Sequence, residues 1–501
     1  MDVVLAIDAG TTGVRTLAID ASGLPGAMAY REFPQHFPRP GWVEHDADEI
    51  LAAVLATLDE VHRALAGAGH RVVALGITDQ RETIVAWDRR TGRPRHRAIV
   101  WQDRRTAGTC AALRAAGHEP FVRERTGLLL DPYFSATKLA WLFADGGVTT
   151  DDDLLVGTVD TWLIWNLTGG PDGGVHATEP SNASRTLLYD LTTRDWSDDL
   201  CTLFGVPRAC LPDVRASSGR FGTTRSGSAA GLTVPISGVA GDQQASLFGQ
   251  ACTEPGMTKN TYGTGSFVLM NVGTTLPPPS DGVLTTVAWQ LGDTVTYALE
   301  GAVFVTGAAL QWLRDGLGII ADAEEAGPLA AGVADTGGVV FVPALTGLGA
   351  PHWDPHARGT IVGITRGTTR AHVVRAAVEA MAWQTRDVVD AMTAASGRAV
   401  TALRVDGGAS AMDFLCAFQA DVLGVEVRRS AVRETTALGA AYLAGIAEGV
   451  WDGPADVAAH WHDDGRFAPG GDPADVARGL DQWHRAVERS LGWAEDAVDR
   501  G

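Results

Sequence analysis

The chain has 501 residues, of which 45% are hydrophobic and 20% are charged, a composition typical of globular proteins and not of disordered or fibrous ones. Single hydrophobic cores stop growing at roughly 250 to 300 residues, so this length predicts two domains. The net charge of −20 argues against binding to nucleic acid or to an anionic membrane surface. The five cysteines are scattered and form no C-x-x-C pair for zinc.

The first residues enter a predicted strand at once, without the basic and apolar segments of a signal peptide. Apolar runs such as residues 339–342 are far shorter than the ~20 residues that span a bilayer. We therefore expect a cytoplasmic protein without membrane insertion.

Two short apolar runs open the chain, residues 3–7 and 14–19, and each is followed by an aspartate. This pattern predicts a hairpin of two strands joined by the turn Gly10-Thr11-Thr12-Gly13. Backbone N–H groups in a glycine-rich turn can form a concavity for phosphate oxygens, and Asp8 could orient a metal ion or its water shell. An ordinary tight hairpin fits the same residues.

Residues 46–65 have an acidic start and helical spacing, and strands are predicted at residues 72–78 and 83–87. The pair Arg81-Glu82 lies between these strands and could bind a polar ligand, although a solvated surface ion pair is commoner. Trp101 follows another strand, and Tyr133 lies in a proline-led turn before a helix. A further strand is predicted at residues 154–158.

The apolar stretch 234–240 predicts a buried strand that ends in Gly241-Asp242-Gln243 and is followed by a helix. Ligands of open α/β sheets bind at the carboxyl ends of the strands, so Asp242 is the best candidate for a general base. The alternative is that Asp242 only caps the next helix. Residues 249–256 are a plausible boundary between two halves of the chain.

The opening pattern recurs at residues 257–270, where Tyr262-Gly263-Thr264-Gly265 joins two extended runs. Two such hairpins half a chain apart predict a duplicated architecture with a nucleotide held between the halves. Helices are predicted from Gly307, over residues 369–392 and from residue 435, where small residues suit tight packing. A third turn of glycines follows the strand at residues 403–406, and the last fifty residues carry helical patterning and no motif. P-loop, G-x-G-x-x-G and H-E-x-x-H motifs are absent from the sequence.

Taken in order, these motifs resemble those of the FGGY sugar and polyol kinases in the actin-like ATPase superfamily, over Ile7 to about Gly445. The motifs that carry the resemblance are Thr78-Asp79-Gln80-Arg81-Glu82-Thr83, Ile99-Val100-Trp101-Gln102, Asp131-Pro132-Tyr133-Phe134-Ser135, Ala240-Gly241-Asp242-Gln243-Gln244, Tyr262-Gly263-Thr264-Gly265 and the C-terminal signature at residues 359–364 and 372–379.

The resemblance implies an α/β fold of two actin-like (ribonuclease H-like) domains, with mixed sheets flanked by helices and the active site in the cleft between them. Residues 1–248 would form the N-terminal domain, which binds polyol and phosphate, and residues 249–501 the C-terminal domain, which binds nucleotide. The implied reaction is ATP-dependent, Mg²⁺-assisted phosphorylation of glycerol to sn-glycerol 3-phosphate. We expect a homo-oligomer, either a dimer or a tetramer, and no nucleic-acid partner.

The resemblance also assigns residues to roles. Asp242 would be the general base, and Mg²⁺ would be held near Asp8. The substrate-binding residues would be Arg81, Glu82, Trp101, Tyr133, Asp242, Gln243 and Phe267. The ATP-binding residues would be Thr11, Thr12, Gly13, Arg15, Thr264, Gly307, Gln311, Gly408 and Met412. A triol needs donors, acceptors and an apolar wall, while phosphoryl transfer needs positioning and charge neutralisation, so the assigned residue types suit the chemistry.

The sequence departs from the family pattern at several positions. Gly13 and Val14 stand where two serines often occur, and Met412 stands where an asparagine usually lies beside the adenine. The loop at residues 227–233 lacks the Lys and Arg that bind fructose 1,6-bisphosphate in some members, so we expect no inhibition by that compound. Two other functions are considered: a kinase of another small polyol or ketose (erythritol, dihydroxyacetone, xylulose), and a non-kinase actin-like ATPase.

Overall fold

A computed structural model describes residues 1–494 as an α/β protein with a long central sheet covered by helices. The strands of the N-terminal half are β1 Asp2–Ala9, β2 Gly13–Asp20, β3 Pro25–Glu32, β4 Glu44–His45, β5 Arg71–Asp79, β6 Ile84–Asp88, β7 Ala98–Ile99, β8 Leu154–Thr158, β9 Ala177–Thr178, β10 Tyr189–Asp190, β11 Asp195–Trp196, β12 Asp213–Val214, β13 Ser218–Thr223 and β14 Pro235–Gly241. Its helices are α1 Ala47–Gly67, α2 Ala107–Ala115, α3 Glu119–Thr126, α4 Ser135–Ala144, α5 Val159–Leu167, α6 Pro180–Ala183, α7 Asp198–Phe204 and α8 Asp242–Gly249.

The C-terminal half has fewer strands and longer helices. Its strands are β15 Met257–Tyr262, β16 Ser266–Gly273, β17 Leu284–Leu291, β18 Thr294–Val303, β19 Val340–Val342, β20 Thr360–Val362, β21 Ala402–Gly407, β22 Val427–Ser430 and β23 Asp463–Phe467. Its helices are α9 Gly307–Asp315, α10 Ala326–Ala331, α11 Arg370–Ser396, α12 Asp413–Leu423, α13 Thr435–Ala447, α14 Pro454–His460 and α15 Pro473–Glu488.

The same five-strand unit occurs in both halves. The order β3-β2-β1-β5-β14 in the first half corresponds to β18-β16-β15-β21-β22 in the second. In each unit the first three strands pair antiparallel and the last two join in parallel. The two units are linked in one sheet through β13 and β17, which share the single pair Ser218 and Leu291. The predicted hairpins and the duplicated architecture are confirmed.

Helix α13 belongs to the C-terminal half but packs on the sheet and on helix α8 of the N-terminal half. Glycines allow both close contacts. A Cβ atom added to Gly76 of β5 would lie 2.3 Å from the carbonyl oxygen of Ala440. A Cβ atom added to Gly439 would lie 1.8 Å from the carbonyl oxygen of Ala245 in α8. Any larger residue would push the elements apart, so the small residues of α13 serve tight packing, as predicted.

Most predicted elements are present, and the main exception lies near the C-terminus. Strand β23 pairs antiparallel with β22 within the last fifty residues, for which only helices were predicted. Its sequence, Asp-Asp-Gly-Arg-Phe, is polar and lacks the alternation that identifies a half-buried strand. Residues 495–501, the end of the predicted C-terminal domain, lie outside the described residues. Within residues 1–494 no helix is both long and apolar enough to cross a membrane.

Candidate active site

The carboxyl ends of three parallel strands meet at one edge of the N-terminal sheet. Ala9 of β1 lies opposite Asp79 of β5, which lies opposite Gly241 of β14. This register brings Asp8, the segment at residues 80–82 and Asp242 to the same edge. The sequence predicts the strand-end positions of Arg81, Glu82 and Asp242. Gly241, without a side chain, occupies the N-cap position of α8, so the alternative in which Asp242 is only a helix cap is wrong.

Asp242 faces a buried arginine. Its Oδ1 atom lies 3.2 Å from Arg81 Nε and accepts a hydrogen bond from the backbone N–H of Gln243 at 2.7 Å. Burial raises the pKa of Asp242 above its usual range, while Arg81 and Lys259 act in the opposite direction. A carboxylate in this position is a stronger proton acceptor than one in water, as a general base requires.

Arg81 and Glu82 form part of a buried network and not the solvated surface pair that is commoner at such positions. Glu300 of β18 accepts hydrogen bonds from both Nη atoms of Arg81 and from Arg185 Nη2 at 2.8 Å. Arg185 Nε also donates to Glu82 Oε1 at 2.6 Å. Burial acts against ionisation of Glu300, but Arg185 and Arg81 hold its pKa below the usual range. The charges of two arginines and two glutamates therefore offset each other. Because Glu300 belongs to the C-terminal half, these ion pairs also connect the two halves of the chain.

Glu82 itself adopts a left-handed backbone conformation, with φ at 63°. This conformation is unfavourable for a residue with a side chain and persists where the surroundings hold it in place. Here the hydrogen bond from Arg185 holds the side chain of Glu82. The buried network thus fixes the turn after β5.

Three aromatic rings line the cleft beside Arg81. The ring centre of Trp101 lies 5.6 Å from that of Tyr133 and 6.4 Å from that of Phe267, which belongs to β16. Arg81 Nη2 donates to the Tyr133 hydroxyl at 3.2 Å, so the Tyr133 O–H remains free to donate. Burial raises the pKa of Tyr133 far above its usual range, which keeps that proton in place. Trp101 Nε1 donates to Thr11 Oγ1 at 2.9 Å and so connects the wall to the first hairpin turn.

Lys259 orients the amide of Gln243. Its Nζ atom donates to Gln243 Oε1 at 2.5 Å and to Thr261 Oγ1 at 2.9 Å. Because an ammonium group can only donate, the Gln243 oxygen must face Lys259 and its NH₂ group must point elsewhere. Burial lowers the pKa of Lys259 to about 8, although Asp406 and Asp242 favour its charged form.

Three polar side chains hold the turn of the first hairpin through hydrogen bonds. Gln80 donates to the Gly10 carbonyl at 3.0 Å, and Gln35 donates to the Thr11 carbonyl at 2.9 Å. His45 lies between the two amides, with Nδ1 3.2 Å from Gln80 and Nε2 2.6 Å from Gln35. Thr11 and Thr12 lie in this turn, where Thr11 is partly buried and Thr12 is exposed.

Asp8 and Arg15 lie opposite each other in the hairpin, with 3.7 Å between Asp8 Oδ2 and Arg15 Nη1. Burial raises the pKa of Asp8 to about 6, while Arg15 lowers it. No group of three or more His, Cys, Asp or Glu residues that could hold a metal ion is found in residues 1–494. One carboxylate suits Mg²⁺, because Mg²⁺ keeps several waters and is usually held by few carboxylates together with substrate phosphates.

The predicted nucleotide residues of the second half surround the turn after β15. The N–H groups of Gly307 and Ala308, at the start of α9, donate to the Gly263 and Thr264 carbonyls at 3.1 Å and 3.0 Å. A Cβ atom on Gly307 would lie 2.6 Å from the Gly263 carbonyl oxygen, so this contact needs glycine. Thr264 and Gln311 are exposed beside this contact.

Gly408 and Met412 lie at the end of β21, which pairs with β15 and ends opposite its turn. Gly408 is exposed, and no other atom lies within 4 Å of the position that a Cβ atom would take on it. A Cβ atom built on Gly327 of α10 would lie 3.3 Å from Cγ of Met412. The exposed Gly408 and the polar turn at Thr264 form a surface that a nucleotide could cover.

The structure brings all the predicted substrate residues together, but the sequence analysis missed Arg185, Glu300 and Lys259. Each is a charged residue within a segment that otherwise has the pattern of a buried element. That isolated charge is the only local signal, and it does not identify the partner. Asp8, Thr11, Thr12, Gly13 and Arg15 form one group, and the five predicted residues of the second half form another.

Two repeated strand-turn-strand units with Gly–Thr turns, and a buried carboxylate at the cleft between them, define a two-domain phosphotransferase. The chain belongs to the FGGY family of carbohydrate kinases: the family model for the N-terminal domain matches residues 3–249 and that for the C-terminal domain matches residues 258–448.

Individual proteins resemble the chain over its whole length. It is 52% identical to glycerol kinase 2 of Thermotoga maritima over 500 residues, covering 98% of this chain and 99% of that protein. It is 53% identical to the glycerol kinase of Trichlorobacter lovleyi over 499 residues, covering 99% and 100%. Among solved structures, Plasmodium falciparum glycerol kinase with ADP superposes with a TM-score of 0.93 at 34% identity, covering 98% of each chain.

Proposed function

We propose that the chain is an ATP-dependent kinase that phosphorylates glycerol to sn-glycerol 3-phosphate. The observation that carries this proposal is the pocket at the cleft, where Arg81, Tyr133, Asp242 and Gln243 face a wall formed by Trp101 and Phe267. Relatives named glycerol kinases, at 52% and 53% identity over nearly the whole chain, support the same substrate.

The pocket supplies both kinds of hydrogen-bonding group that a small triol needs. The free O–H of Tyr133 and the NH₂ group of Gln243 would donate to acceptor hydroxyls. Asp242 and Glu82 would accept, while Trp101 and Phe267 would pack on the carbon chain. A buried site of this kind strongly rejects an analogue that lacks one hydroxyl, because a polar group of the protein then stays unpaired.

Asp242 would act as the general base. It would take the proton of the attacking hydroxyl as the oxygen approaches the γ-phosphorus, and its raised pKa favours that transfer. Arg81, at 3.2 Å, would orient the carboxylate and stabilise its charge before the reaction. Closure of the cleft would exclude water, which otherwise competes as an acceptor.

The two hairpin turns would hold ATP between them. The hydroxyl and N–H groups of Thr11, Thr12, Gly13 and Thr264, together with Arg15, would bind phosphate oxygens. Gly307 and Gln311 would support the nucleotide at the start of α9, and Gly408 and Met412 would lie against the adenosine. Mg²⁺ near Asp8, directly or through a water, would neutralise charge on the phosphates.

The domain limits 1–248 and 249–501 remain our proposal, and the family models, which match residues 3–249 and 258–448, agree with a boundary near residue 249. We also propose that the protein acts in the cytoplasm as a homo-oligomer, either a dimer or a tetramer. Light scattering after size-exclusion chromatography tests the oligomer, and a monomer of 52.6 kDa would contradict it.

The acceptor is tested by ADP release from Mg-ATP with glycerol, erythritol, dihydroxyacetone, xylulose or no acceptor. We expect activity confined largely to glycerol, with a kcat/KM well above that for the other compounds. A preference for a different acceptor would keep the kinase class but overturn the assigned substrate. Hydrolysis of ATP that no acceptor affects would favour an actin-like ATPase without kinase activity.

A further inference from the structure

Three residues form a row across the first three strands of the sheet. Asp8 of β1 lies opposite Arg15 of β2, and Arg15 lies opposite Tyr30 of β3. Residues opposite each other on paired strands share one face of the sheet, so Tyr30 is on the same face as Asp8. The Arg15 guanidinium carbon lies 5.7 Å from the centre of the Tyr30 ring. The row thus extends from the edge strand to the predicted metal and phosphate site.

Gly13 lies on this same face, two residues before Arg15, and has no side chain. A Cβ atom built on Gly13 would lie 2.6 Å from the Tyr30 hydroxyl oxygen and 2.6 Å from the Arg31 carbonyl oxygen. The Tyr30 hydroxyl therefore occupies the space into which a side chain at residue 13 would project. Tyr30 of β3 thus places a hydroxyl group at the turn, at the position where Gly13 has no side chain.

This hydroxyl is available to a ligand. The Tyr30 residue is 40% exposed, although it lies beside the turn that Gln80, Gln35 and His45 hold in place. Among the hydrogen bonds of residues 1–494 none involves the Tyr30 hydroxyl, whereas Trp101 donates to the neighbouring Thr11 hydroxyl. Arg15 contributes a positive charge beside the ring, so an anion would find a donor and a cation together.

We propose that the Tyr30 hydroxyl is a ligand of the nucleotide phosphates, donating a hydrogen bond beside Arg15 and the turn of the first hairpin. This assignment rests on the proposed function, because it takes the turn to be a phosphate site. It adds β3 to the elements that bind the nucleotide. The structural alternative is that the Tyr30 ring only supports the Arg15 side chain, with no role for the hydroxyl.

The test compares Tyr30→Phe, which removes only the hydroxyl, with Tyr30→Leu, which also removes the ring. ADP affinity is measured by calorimetry without acceptor, and the KM for ATP is measured at saturating acceptor. A hydrogen bond to a charged group contributes enough that we expect about a tenfold loss of ADP and ATP affinity in Tyr30→Phe. The loss in Tyr30→Leu should be at least as large, with the KM for glycerol and the melting temperature unchanged in Tyr30→Phe.

Tyr297→Phe is the matched control, because Tyr297 belongs to β18 and its hydroxyl donates to the Leu191 carbonyl at 3.3 Å. It should leave ADP affinity unchanged. Wild-type ADP affinity in Tyr30→Phe, whether or not Tyr30→Leu is impaired, would overturn the proposal. An equal loss of glycerol affinity would also overturn it. The ADP titration needs no acceptor, so a wrong acceptor would be detected separately, by the acceptor comparison.

Discussion

Glu300 offers a sharp test of the buried network, because it pairs with two arginines and its side chain is fully buried. In Glu300→Gln the shape is retained, but Arg81 and Arg185 lose the buried carboxylate with which both of them pair. Breaking a buried ion pair by removing one partner typically costs about 3 to 5 kcal/mol. The glutamine can still accept one hydrogen bond from an arginine, so we expect a loss near the lower limit, about 3 kcal/mol of unfolding free energy.

Urea unfolding followed by tryptophan fluorescence measures this loss, and steady-state kinetics report on the site. The control is Glu119→Gln, because Glu119 pairs at 2.8 Å with Arg114, whose side chain is 53% exposed. Surface pairs contribute about 0 to 1 kcal/mol, so the control should remain close to wild type. We expect Glu300→Gln also to raise the KM for glycerol, since Arg81 loses the partner that orients it. A loss of stability no larger than that of the control would refute this reasoning.

Three further predictions follow from the site. Asp242→Asn should lower kcat by roughly 10² to 10⁴ with little change in the KM for glycerol, and near-normal turnover would exclude Asp242 as the base. Burial lowers the pKa of His45 in the folded protein to about 4 from its ordinary 6.5. As the pH falls, the imidazole is therefore protonated in the unfolded chain before it is protonated in the folded one. The free energy of unfolding is therefore not reduced by His45 above pH 6.5, and it falls by about 3 kcal/mol as the pH decreases to 4. His45→Gln should lose less stability over that range in urea titrations, and an equal loss would contradict the assignment. Millimolar fructose 1,6-bisphosphate should not change the rate, because residues 227–233 lack Lys and Arg; a clear inhibition curve would show otherwise.

Local patterns made much of the fold predictable. Both hairpins follow from two apolar runs joined by a polar glycine turn, and the placement of Asp242 follows from a buried strand that ends in Gly-Asp. In each case the signal and the structure lie within about twenty residues, so hydrophobic periodicity and turn chemistry are sufficient.

The ion pairs were not predictable, because their partners are far apart along the chain. Arg81 meets Glu300 across 219 positions and Arg185 meets Glu300 across 115, and no periodic pattern links such residues. Arg81-Glu82 alone has the appearance of a surface pair, and only the packing of β18 on the other half explains its burial. The polar strand β23 was missed for a related reason, since it forms by pairing with β22 and not by its own alternation.

The most direct test of the central claim is to follow the labelled γ-phosphate of ATP in a single turnover with the purified protein. With glycerol present, the label should appear in sn-glycerol 3-phosphate and almost none in inorganic phosphate, because the closed cleft presents the acceptor hydroxyl to Asp242 and excludes water. Without an acceptor, ATP should be consumed only slowly. Label that appears mainly in inorganic phosphate, at a rate that glycerol does not change, would contradict the account.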